Sequence, residues 1–187
     1  MRRVATAAVV VAGVFVVASL PGCRKRPEER IPEWIEQLKS PDAQASGNAA
    51  RQLIDVGEPA VPALAELLKD GEPRVRRAAA STLWGLGRRM GPAVPALAET
   101  LRDPDPEVRL SAAMALESAG EHAGAAVPAL VAALKDPEAN VRLYACKALG
   151  AAGPSARSAI PALVEAAKID FLRGSAEEAL RRIRTGA

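Results

Sequence analysis

Four copies of one tetrapeptide stand at an unvarying step: Val61-Pro62-Ala63-Leu64, Val94-Pro95-Ala96-Leu97, Val127-Pro128-Ala129-Leu130 and Ile160-Pro161-Ala162-Leu163. A fainter copy, Ile31-Pro32-Glu33-Trp34, lies slightly less than one step before the first. A chain held in register this way is one small unit repeated, and every other reading must respect that period.

The rest of the unit repeats too. Asp70, Asp103 and Asp136 are each followed by a Val-Arg pair, at 75–76, 108–109 and 141–142, and then by Leu83, Leu116 and Leu149 and by Gly87, Gly120 and Gly153. Two helices per unit account for this order. Pro62 and its copies suit the first helical turn, where the missing N–H would have no partner anyway. Val61, Leu64, Leu67 and Leu68 then share one side at helical spacing, and the helix ends near Lys69. The Asp-Pro segments break the chain and cap the next helix. The second helix puts Val75, Ala79, Thr82, Leu83 and Leu86 on one face, with Val108, Ala112, Ala115, Leu116 and Ala119, then Val141, Ala145, Ala148, Leu149 and Ala152, in the same slots. The glycine after each second helix is expected to end it in a left-handed turn. One such hairpin cannot hide its apolar stripe, because a buried Leu contributes only ~1.5–3 kcal/mol. Units must stack to share a core.

The pattern resembles the HEAT-repeat family in its short bacterial form, over residues 31 to about 184. It is carried by the Val-Pro-Ala-Leu openings, the Asp-Pro turns and the Val-Arg second helices with their paired alanines. Ankyrin units share the step, but Thr-Pro-Leu-His is missing, and the aromatic slots of tetratricopeptide units are empty. The resemblance implies an all-α fold, an α-solenoid of about five two-helix repeats. It also implies a ladder pairing Asp70, Asp103 and Asp136 with Arg76, Arg109 and Arg142 of neighbouring units. As surface ion pairs these would add little each, and their expected role is to set stacking register.

Arg2 and Arg3, the uncharged run from Val4 to Val17 and the ending Leu20-Pro21-Gly22-Cys23 come in the order of an export signal. That ending resembles a bacterial lipoprotein signal. The resemblance implies cleavage before Cys23 and lipid on its sulfur; Pro21 departs from the usual pattern. Two alternatives stay open. One is a single-span anchor, since the run from Val4 to Leu20 is at the low edge of a membrane span. The other is an ordinary cleaved signal. All three place the body outside the cytoplasm; the lipid-anchored reading places it in a bacterial cell envelope, where the absence of Asp at position 24 resembles proteins sorted to an outer membrane if one exists. The expected layout is a signal peptide over 1–22, a lipidated cysteine and basic tether over 23–30, and an array over 31–187. Within the array, 31–57 is an N-terminal cap repeat, 58–153 three regular repeats and 154–187 a C-terminal cap repeat, where Ile169-Asp170-Phe171 replaces the Asp-Pro turn. The tether's Arg24, Lys25 and Arg26 suit either anionic headgroups or solvent.

Charge argues against nucleic acid. The formal +3 comes from 25 basic and 22 acidic residues. Without Arg2 and Arg3 there are 23 basic; setting aside Arg24, Lys25, Arg26, Arg30, Glu28 and Glu29 leaves 19 against 20, a body near −1. With 3% aromatics, no basic, stacking surface is expected.

Nothing in the sequence assembles a reaction centre, and neither cofactor, metal nor small-molecule substrate is expected. His122 stands alone in the stretch after Gly120, two cysteines make no zinc site, and Gly85-Leu86-Gly87 lacks the strand and third glycine of a phosphate loop. Cys146 takes the slot of Ala80 and Ala113 and reads as a buried small residue. Trp34 reads as cap packing. A surface remains. Opposite the core stripe, the second helices carry Arg77, Trp84, Leu110, Met114, Leu143 and Lys147 among their outward slots. Either this row is an apolar binding patch, or Leu110 and Leu143 pack between helices and only Trp84 and Met114 face solvent. The expected function is a membrane-anchored scaffold holding a protein or peptide on its concave face. Two alternatives are a lyase-like enzyme accessory acting on a bound cofactor or partner enzyme, and a disfavoured nucleic-acid binder.

Overall fold

The computed structural model describes residues 25–186. The expected signal peptide and Cys23 lie outside the described residues. Among the described residues ten α-helices succeed one another: α1 (Ile31–Leu38), α2 (Ala43–Val56), α3 (Val61–Leu67), α4 (Pro73–Leu86), α5 (Val94–Thr100), α6 (Pro106–Ser118), α7 (Val127–Ala133), α8 (Ala139–Ala151), α9 (Ile160–Ala166) and α10 (Asp170–Thr185). No strand occurs among them. The architecture is an all-α solenoid of helix pairs.

Local chemistry starts and stops these helices at the repeat period. Proline sits in the first turn of each odd-numbered helix. Asp42 accepts the backbone N–H of Gln44 at the head of α2, and Asp105 accepts those of Glu107 and Val108 at the head of α6. The glycines differ from expectation in one respect. Gly87 has φ 57° and ψ −136°. It is not a left-handed helical residue, but it holds a backbone shape that only glycine adopts without strain. The chain leaves it into a 3-10 segment rather than a loop. Such segments, Gly87–Ala93, Gly120–Ala126 and Gly153–Ala159, recur in register. They bury Met90, Ala93, Ala123, Ala126, Ala156 and Ala159, and so add a third contact layer to each repeat. His122 lies on one of them, exposed.

The core runs the length of the array. Leu64, Leu97, Leu130 and Leu163 from the first helices meet Leu83, Leu116 and Leu149 from the second, all fully buried. Second helices pack on one another in order, α4 on α6, α6 on α8 and α8 on α10, while successive first helices touch only lightly. Alanines at 79, 112, 115, 145 and 148 are buried in these joints. Their small size lets backbones approach, and a Cβ built on Gly150 would lie 3.0 Å from Cα of Ala179. Closer packing along the second helices than along the first bends the row towards them, so they line the concave side.

The last repeat has a turn of its own. α9 ends at Ala166 and α10 begins at Asp170, a shorter turn than the one between α7 and α8. Ile169 precedes α10 with no capping side chain, and Val164, Ile169 and Phe171 are exposed. At the other end Trp34 is buried, with the Arg30 guanidinium 4.8 Å above its ring.

Candidate interaction surface

Among the described residues the ladder forms two rungs, each spanning one repeat. Arg76 Nε and Nη2 donate to the two carboxylate oxygens of Asp103 at 2.7 and 2.9 Å, and Arg109 does the same to Asp136 at 2.8 and 3.1 Å. Nη1 of each arginine turns back onto its own repeat's turn, to the carbonyls of Asp70 and Asp103. Each acid also closes its own turn, Asp103 accepting the Asp105 N–H and Asp136 the Glu138 N–H, both at 2.9 Å. These are not the surface pairs expected from sequence. Side-chain exposure is 11% and 7% in the first rung and 12% and 7% in the second. Their forked geometry makes them strong and directional, and neither partner can be removed without stranding the other.

Asp70 and Arg142 are in the ladder's slots but not in its rungs. Arg142 donates to the carbonyls of Asp136 and Pro137 and meets no carboxylate among the described residues, because Ile169 stands where the repeat would place the next acid. The Asp70 carboxylate accepts the Glu72 N–H at 2.9 Å and receives no arginine from the first repeat. Counting from Ile31 as from Val61, Ser46 occupies the slot of Arg76 and is too short to reach Asp70. Its hydroxyl donates to the Leu38 carbonyl instead, at 2.9 Å. A different clamp closes this joint. Arg74 reaches back from α4, donating to the carbonyls of Ser40 and Lys39 at 2.7 Å each, and its Nη2 lies 3.0 Å from Glu72.

Along the concave face, the predicted surface residues divide. Trp84 is 48% exposed. Arg77 and Lys147 are exposed, with the Lys147 ammonium 4.7 Å from the centre of the Tyr144 ring. Met114 is half-buried. Leu110 and Leu143 are half-buried too and pack against the core, so they join the second helices rather than forming an open apolar strip. Two clefts open on this face. One, about 270 Å³, lies between α8 and α10 and is bordered by Glu117, Lys147, Glu178 and Arg182. The other, about 510 Å³, lies between α2 and α4 over Leu38, Ile54 and Ala78, with Arg74 and Arg77 at its rim.

Sequence reasoning missed the second cleft. Its signal was present but faint: Gly47 holds the slot of Arg77 and Ser46 that of Arg76, so two small side chains stand where the next repeat has two long ones.

Away from the concave face the chemistry is quiet. Cys146 is buried and has no disulfide among the described residues, and burial pushes its thiol up to about 11. Among the described residues, no three His, Cys, Asp or Glu side chains gather as metal ligands would.

Comparison with known proteins gives a consistent fold. The family described as HEAT repeats matches residues 31–117 and again 94–181. No curated protein matches the chain. Among solved structures, the complex of CpcE and CpcF of phycocyanin lyase from Nostoc sp. PCC7120 superposes with a TM-score of 0.67 at 22% identity, over 81% of this chain and 98% of that one. An engineered protein superposes at 0.61 with 23% identity, over 82% and 78%. A designed armadillo repeat protein in complex with the peptide (KR)4 reaches 0.58 at 17% identity, over 82% and 99%. At these identities the likeness carries the fold alone.

Proposed function

Because the chain belongs to the HEAT repeats family, we propose that it works as a scaffold, holding a protein or peptide partner against its row of second helices without catalysing a reaction. The observation that carries this is Trp84. Its ring stands half in solvent, while every other large apolar side chain of α4, α6 and α8 is buried or half-buried. It projects from the same face as Arg77 and Met114. Aromatic and arginine side chains at a concave surface are what partner hot spots are made of. The solved neighbours lend general support: one is a complex of two chains and one holds a peptide.

In this reading the scaffold is tethered outside the cytoplasm of a bacterium by lipid on Cys23. The support is the order of basic start, apolar run and cysteine in residues 1–23. Two or more acyl chains anchor stably where one does not.

The test is capture from gently solubilised membranes, with mass spectrometry of the mature N-terminus on the same sample. A chain beginning at a lipid-modified Cys23 and a co-purifying protein that Trp84→Ala and Met114→Lys release, with unchanged melting, are the expected results. Capture indifferent to both substitutions rules out this face. A free, unmodified Cys23 rules out the anchor.

A further inference from the structure

The cleft between α2 and α4 exists because one side chain is missing from that joint. At the next two joints the same slot of the second helix holds Leu110 and Leu143, and both pack against the core between neighbouring helices. At the α2–α4 joint that slot holds Arg77, which is exposed and meets no partner among the described residues. The facing helix offers nothing to fill the space. A Cβ placed on Gly47 would find no atom within 4 Å. Lower down the two helices do touch, where a Cβ on Gly85 would come within 2.5 Å of Ile54 Cδ1. The two helices touch at Gly85 and leave space beside Gly47, where the Arg74 side chain bridges the joint, with Leu38 and Ile54 as an apolar floor. Arg74 and Arg77 stand at the mouth, and no carboxylate is among the described residues that line the cleft.

We infer that this cleft takes a short acidic segment of a partner polypeptide. One aliphatic side chain enters where Leu110 and Leu143 sit at the later joints, and an adjacent carboxylate pairs with Arg77. Arg74 is already engaged by Glu72 and by the carbonyls of Ser40 and Lys39, so shape sets the aliphatic requirement and the unpaired Arg77 alone sets the acidic one. The inference rests on the scaffold reading and names the chemistry of its partner.

The test uses the purified full chain and labelled peptides that carry Glu-Leu-Glu, Lys-Leu-Lys or Glu-Ser-Glu between Gly-Ser arms, read by fluorescence anisotropy. Glu-Leu-Glu should bind, and the other two about tenfold or more weakly, a difference of about 1.4 kcal/mol. Arg77→Glu reverses the rim, and Gly47→Leu fills the cleft from within; each should weaken Glu-Leu-Glu by about tenfold. Arg157→Glu, an equal change of charge on the far linker, should not. Circular dichroism melts confirm that the variants fold, and if Gly47→Leu does not, Arg77→Glu decides alone. Equal binding of the three peptides, no binding of Glu-Leu-Glu, or binding untouched by Arg77→Glu overturns the inference. So does binding to phosphatidylglycerol vesicles that needs Arg77 while the peptide fails. If Trp84→Ala releases a membrane partner but Glu-Leu-Glu never binds, the scaffold reading stands and this one falls.

Discussion

Asp103 and Asp136 each do two jobs, closing a turn and receiving the arginine of the preceding repeat. Removing one therefore strands a guanidinium at a site nearly closed to solvent. Asp136→Ala should cost on the order of 3 kcal/mol, read as a lower urea midpoint, while Arg109→Met combined with Asp136→Leu should recover the part due to the stranded charge and not the part due to the lost Glu138 N–H bond. Acid should act on the same ladder. Burial pushes the Asp103 carboxyl up, but hydrogen bonds from Arg76 and the Asp105 N–H, with the charges of Arg76 and Arg109, bring it below its ordinary value. A depressed folded value means the stabilisation is complete above the unfolded value, roughly pH 4, and is lost as pH falls through the folded one. Thermal melts should drop in that window, and Asp103→Asn should flatten the dependence. Cys146 offers a simpler check. Its thiol is buried and held protonated to about 11, so a maleimide at mild alkaline pH should label it only as fast as the array opens.

At the scale of the element, two glycines make opposite demands. Gly87 ends α4 with φ 57° and turns the chain into the 3-10 linker. Alanine there should cost roughly 1–2 kcal/mol, because a Cβ is strained at that backbone shape. Gly47 lies inside α2 with open space where a Cβ would go. Alanine there should add roughly 0.5–1 kcal/mol by favouring the helix. Paired denaturant curves of the two variants should move in opposite directions. If both lower the midpoint, the space beside Gly47 is not open. The same spacing rules explain why helix positions were legible. Proline, apolar stripe and glycine recur once per repeat, and each acts within a short distance of itself along the chain. The 3-10 linkers were not legible as structure, since Gly-Glu-His-Ala-Gly-Ala-Ala has no apolar period and becomes ordered only where Ala123 and Ala126 meet the neighbouring repeats.

Across the whole molecule, stability is a sum of repeats and the joints between them. The joints are unequal. α4–α6 and α6–α8 each have a rung and a packed leucine; α2–α4 has neither and is held by Arg74. The first repeat should therefore open before the rest. In native-state hydrogen exchange, amides of 43–56 should exchange ahead of those of 106–118 and 139–151, by a margin that Arg74→Ala widens. Uniform protection from α2 to α8 would mean that the joints are equivalent after all. The far end behaves differently. α10 packs on both α8 and α9, yet Val164, Ile169 and Phe171 stay exposed in a repeat that offers Arg142 no acid.

The sequence by itself determined the architecture: helix pairs, their period, the slots that form the core and the departures at both ends. It could do so because those properties depend on chemistry repeated along the chain at fixed spacing. Only the tertiary structure decided that the arginine–acid rungs are forked and nearly closed to solvent, and that Leu110 and Leu143 fill joints while Arg77 leaves one open. Those outcomes depend on how far apart two helices stand in space. That distance depends on which residues face each other across the joint, and those lie about one repeat apart along the chain, as Gly47 and Arg77 do. No periodicity within either helix encodes it.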